Sequence, residues 1–145
     1  MSRLGRALFL ALIAVQAVHS VEEYLGRLYD VLAPAGLVSG LLSIDRRVGF
    51  VIFNASLVAI GVVCYLGPIL HARRSAAAIG WLWVVLELAN GTAHVVWAAS
   101  AGSYRPGLAT APALLGIALL LARELRRNRI APEPAGPPTF PSRSA

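Results

Sequence analysis

His19-Ser20-Val21-Glu22-Glu23 sets an imidazole and two carboxylates in five residues, directly after the apolar run Ala7 to Val18, whose one polar residue is Gln16. Glu87, Asn90 and His94 repeat the theme inside a second apolar run, Ala76 to Ala99. Ionisable groups at membrane depth cost roughly 2.5–3.5 kcal/mol each on insertion scales and mark functional sites. Imidazole and carboxylate together support two chemistries. They can ligate a zinc, iron or manganese ion through nitrogen and oxygen, with no thiolate nearby to favour a softer metal. They can also pass protons, because burial and mutual repulsion of Glu22 and Glu23 would raise one carboxyl pKa, leaving His19 or His94 as base.

Helical spacing decides which of these groups meet. His19, Glu22 and Glu23 stand three and four positions apart and share a face, extended one turn by Gln16. Glu87, Asn90 and His94 make a second stripe, with Trp83 and Trp97 at its ends, and Asn54 is the polar residue of another apolar segment. At ~1.5 Å per residue, the polar groups of these three segments fall at overlapping depths, about 17 to 27 Å from the cytoplasmic side. That overlap predicts one shared cavity in the outer half of the bilayer. Di-iron bundle proteins use Glu-x-x-His on facing helices. The order here is reversed, so the likeness is one of ligand chemistry only.

Four segments have the length and apolarity to carry these stripes: about 7–29, 48–70, 76–99 and 108–125. The last is short and holds Pro112 near its start, where a missing N–H is tolerated. The expected fold is all-α, a four-helix transmembrane bundle over residues 1–130, with a disordered Pro- and Ser-rich tail over 131–145. Arg3 and Arg6 before an apolar core imitate a signal peptide, but Ala17-Val18-His19 is a poor cleavage site and three more apolar segments follow.

Composition agrees. Of 145 residues, 57% are hydrophobic and 14% charged, below the ~25% of soluble domains. Thirteen arginines and no lysine produce a net charge of +6. They gather at segment ends, without the interleaved aromatics that a nucleic-acid groove needs, so no nucleic-acid partner is expected. With the N-terminus inside, nine arginines lie on the cytoplasmic side and four outside (Arg27, Arg46, Arg47 and Arg105), which favours both termini in the cytoplasm. Abundant Ala and Arg without Lys points to a GC-rich bacterial genome and hence an inner-membrane, multi-pass protein. The single cysteine, Cys64, excludes an intrachain disulfide.

Plainer accounts exist for several of these residues. Asn54 and Gln16 can simply link helices. Glu23 can pair with Arg27 four residues on. Trp81, Trp83 and Trp97 include interfacial anchors, and His71 is a solvated turn residue. The stretch Tyr104-Arg105-Pro106-Gly107 is a turn, with Tyr104 or Arg105 within reach of a lipid headgroup. The cytoplasmic halves of the first and third segments are almost wholly apolar, against a continuous pore.

His19-x-x-Glu22-Glu23 in a first membrane helix resembles the HXXEE-motif family of small integral membrane proteins. The segment Glu87 to His94 and the turn Tyr104-Arg105-Pro106-Gly107 are similar to that family as well. The resemblance implies a membrane protein with a His/Glu site and names no reaction.

The reading that follows is a metal-dependent intramembrane enzyme, hydrolase or oxidase in type, on a lipid-like or apolar small-molecule substrate. His19, Glu22, Glu87 and His94 are its first-choice metal ligands. Glu23 is a ligand or, with His19, the catalytic acid/base, and Asn54 and Asn90 are supporting polar groups. The alternatives are a non-enzymatic membrane module or complex subunit, or a metal-free acid/base isomerase or cyclase. Four short helices enclose little volume, so a homo-oligomer is compatible with each.

Overall fold

A computed structural model of the chain describes residues 1–130 and contains helices and turns, with no strand among the described residues. The tail at 131–145 lies outside them.

Helix α1 (Arg3–Leu25) starts at Ser2, whose hydroxyl accepts from the Gly5 N–H at 2.9 Å and donates to Glu124 at 2.6 Å. It ends four residues before Tyr29, where the apolar pattern runs out. Gly26 breaks it: a Cβ there would sit 2.6 Å from the Pro106 ring, so only glycine lets the 102–110 loop close against this helix end. Arg27 then turns left-handed (φ 54°) and the chain folds back through α2 (Leu28–Val31) and α3 (Ala33–Leu42). The sequence pattern singles out neither. Both are shorter than a span, and α3 packs against α4.

Helix α4 (Arg46–Cys64) is capped by Asp45, which accepts from the Arg47 N–H. It runs on as a π-turn over Tyr65–Ile69 around Pro68. Proline has no N–H to give, so the ladder loosens there and Leu70 N–H reaches back to Tyr65 C=O at 2.8 Å. Helix α5 (Ala76–Ala101) stops at Gly102 (φ 60°), and α6 (Ala111–Ile130) follows the 102–110 loop.

The long helices pack α4 on α1, α1 on α6 and α6 on α5, which sets α1 diagonal to α5. The apolar core fills one half of the molecule. There Phe9, Leu12 and Ile13 meet Trp83, Val84 and Leu121, and the Phe9 and Trp83 rings meet edge to face at 6.0 Å. The buried polar residues occupy the other half. The outer surface is rich in exposed apolar side chains such as Leu25, Val63, Leu82 and Val85. That pattern suits hydrocarbon rather than water.

Among the described residues, three helices are long and apolar enough to cross a membrane: Arg3–Leu25, Arg46–Ile69 and Ala76–Ala101. The fourth expected span does not join them. Helix α6 has 20 residues, but Arg123, Glu124, Arg126 and Arg127 crowd its C-terminal part.

Candidate His/Glu site

The helical repeat turns Gln16, His19, Ser20 and Glu23 of α1 to one buried face. It does the same for Glu87, Gly91 and His94 of α5. Because α1 and α5 are diagonal, their side chains reach each other across the interior. The His19 and His94 rings lie edge to face with centroids 4.8 Å apart. Glu23 joins them through one oxygen: Oε1 is 3.3 Å from His19 Nε2 and 3.0 Å from His94 Nε2. All three residues are buried, and their donor atoms lie within 4.8 Å of one another.

The loop before α6 completes the site. The Thr110 hydroxyl is 2.7 Å from His19 Nδ1 and 2.6 Å from Glu22 Oε2. Glu22 also accepts from the Tyr104 hydroxyl at 2.6 Å and from the Ala109 and Thr110 N–H groups at 2.9 Å each. A carboxylate holding these donors is an acceptor only, so the single Thr110 hydroxyl proton goes to Glu22. Thr110 must then accept from His19, which places the His19 proton on Nδ1 and leaves a lone pair on Nε2. That lone pair faces Glu23 Oε1 across 3.3 Å, and Nε2 has no hydrogen-bond partner. Two acceptors cannot satisfy each other. An electropositive centre between them, a metal ion or a second imidazole proton, removes the conflict. Donor atoms sharing an ion with bonds of about 2.0–2.2 Å sit about 3 Å apart, as Glu23 Oε1 does from each histidine Nε2. A histidine whose other nitrogen is held by a hydrogen bond is the usual arrangement of a metal ligand.

Gly107 closes the site from above. It has φ 91°, and a Cβ there would lie 2.5 Å from the His94 ring and 2.9 Å from His19 Cε1. Arg105 stacks its guanidinium 5.2 Å from the Trp97 ring, next to the loop's end on α5. Tyr104 lies outside the spans, and donation to the Glu22 carboxylate pushes its phenol up to about 12.

The structure thus divides the candidate residues. It brings together His19, Glu23 and His94. Glu22 points to the loop and stands outside that group, its oxygens occupied by four hydrogen bonds. Glu87 is buried nearby, with Asn90 close enough to hydrogen-bond it, and its Oε2 has no partner. Asn54 accepts from Ser20 at 2.8 Å and donates to the Phe50 carbonyl, linking α1 to α4. Glu23 does not pair with Arg27, which turns outward to Asp30 at 2.8 Å. Thr110 and Ser20 are the residues that spacing overlooks. Thr110 carries a readable signal, since Thr-Ala-Pro marks a helix start with threonine at the cap.

The model of a family described as a protein of unknown function with an HXXEE motif matches residues 10–121, from α1 well into α6. The chain belongs to the HXXEE-motif family. No curated protein and no solved structure matches it. Within the motif, the histidine and the second glutamate face the interior, and the first glutamate holds the loop.

Proposed function

We propose that this HXXEE protein is a metal-dependent intramembrane enzyme, of hydrolase or oxidase type, acting on a lipid-like substrate. His19, Glu23 and His94 hold a divalent ion: zinc, iron or manganese. Glu22 positions His19 through Thr110, and Glu87 stands beside the site as an acid/base. Such an ion, when bound, polarises water or a substrate oxygen. The observation that carries this reading is His19 Nε2, buried without a hydrogen-bond partner and 3.3 Å from Glu23 Oε1. The arginine distribution supports both termini inside a bacterial inner membrane, with α1, α4, α5 and α6 as a four-helix bundle.

The test is elemental analysis of purified protein prepared without chelator, beside His19→Ala, His94→Ala and Glu22→Gln. Near-stoichiometric metal in the parent, lost in both histidine variants, supports the reading. No metal above background after reconstitution overturns it. The 3.0 Å approach of His94 Nε2 to Glu23 is also a good hydrogen bond. It favours a second reading, metal-free proton transfer by an isomerase or cyclase, which predicts indifference to chelators.

A further inference from the structure

A cavity of about 330 Å³ lies between α4 and α5, where those two helices part. Helix α3 roofs it with Pro34, Ala35 and Val38, and α1 floors it with Gln16 and Glu23. Its mouth is apolar, formed by Phe53, Leu86 and Val38, all of them exposed on the outer face of the molecule. Its floor is polar in a particular way. Gln16 donates from Nε2 to Ser20 at 3.2 Å, which leaves Oε1 buried without a partner. Glu87 Oε2 is likewise buried without a partner. Gln16 is 1% and Glu87 2% exposed, and both line this cavity. Two buried acceptors without donors are costly, and native proteins rarely leave them so.

We propose that this cavity binds a long-chain alcohol, its hydroxyl donating to Glu87 Oε2 or Gln16 Oε1 and its chain leaving sideways between Phe53 and Leu86. The proposal deepens the reading above by naming the substrate class, and it rests on that reading's placement of the site in a bilayer. The alternatives fit the floor less well. A fatty acid would bring a carboxylate against Glu23 and Glu87. An ester or ether has no proton to donate. An ammonium is a charge that is costly to bury at this depth. The volume is at the small end for ligand pockets, enough for a head group and the first part of a chain whose remainder stays in lipid.

The test uses the full chain in nanodiscs and a hexadecanol carrying a diazirine on its chain. Light should attach the probe to peptides spanning 50–57 and 86–90. Hexadecanol should compete about tenfold better than hexadecyl methyl ether, the worth of one hydrogen bond to a charged or buried acceptor. Glu87→Leu or Gln16→Leu, whichever removes the acceptor, should lose most of that preference. Equal competition by the ether, stronger competition by hexadecylamine, or labelling confined to other helices overturns the proposal. The ether comparison needs no variant, so it holds even if Glu87→Leu fails to fold. Repeating the labelling on chelator-treated protein of known metal content separates the two ideas. Labelling that persists in metal-free protein leaves the cavity standing whether or not the metal reading survives.

Discussion

Thr110 gives its hydroxyl proton to Glu22 over 2.6 Å, and that bond sets which nitrogen of His19 is free. Residues 88 positions apart are joined by it, so the state of an α1 imidazole depends on the start of α6. Glu22 is therefore placed as an anchor for the loop as well as a keeper of the tautomer. Its carboxylate also lies at the N-terminal end of α6, where the helix dipole favours negative charge.

Replacing Thr110 tests this directly. Thr110→Val keeps the shape and removes the acceptor for His19 Nδ1–H, so metal affinity should fall by about 10- to 100-fold, as when other outer hydrogen bonds of metal-ligating histidines are lost. Thr110→Ser should restore it. Metal titration of the three proteins measures the ratio. Nitrogen-15 shifts of His19 should move from the Nδ1–H form toward a mixture in the valine variant.

Glu22→Gln separates an anchor from a ligand. Hydrogen bonds to charged groups are worth about 1.5–3 kcal/mol each, so the loss should be of the order of 2 kcal/mol or more. Amide exchange should quicken at Ala109 and Thr110, whose N–H groups lose a charged acceptor. Metal content should survive in the anchor role and disappear in the ligand role. Elemental analysis and exchange mass spectrometry on one preparation give both answers.

Gly107→Ala should damage the site without touching a ligand. The new Cβ would meet the His94 ring at 2.5 Å, and the left-handed φ of 91° adds backbone strain of about 1–3 kcal/mol. The loop must lift or His94 must turn. Either movement should lower metal occupancy and thermal stability together, whereas Gly102→Ala, at φ 60° with open space around it, should affect stability alone.

Much of this arrangement can be read from periodicity, and the limits of that reading are physical. The i, i+4 relation of His19 to Glu23 and the seven-residue step from Glu87 to His94 assign each side chain to a helix face. That is enough to foresee that α1 and α5 turn polar stripes inward. Periodicity cannot rank Glu22 against Glu23, because adjacent residues differ by about 100° and the site's centre could lie toward either. The decision comes from the 102–110 loop, whose N–H groups and Thr110 capture Glu22. Helices α2 and α3 stay illegible because four and ten residues offer too little pattern. The weak status of α6 as a span follows from charges that hydropathy alone places only at a helix end.

Tyr104 offers a pH handle on the loop. Its phenol is pushed up to about 12, first by donation to Glu22, then by burial and by the Glu22 charge itself. A pKa raised above the ordinary value near 10 means the neutral form is favoured in the folded state, so the anchoring contribution is complete below pH 10. It declines as pH rises through about 12, where the phenolate would face a carboxylate. The difference in 295 nm absorbance between the parent and Tyr104→Phe should therefore titrate near 12 rather than 10. In Glu22→Gln the same difference curve should fall back toward 10, because the charged acceptor that holds the proton is gone. A Tyr104 titration near 10 in the parent would mean that the phenol does not donate to Glu22, and the loop would then hang on Ala109 and Thr110 alone.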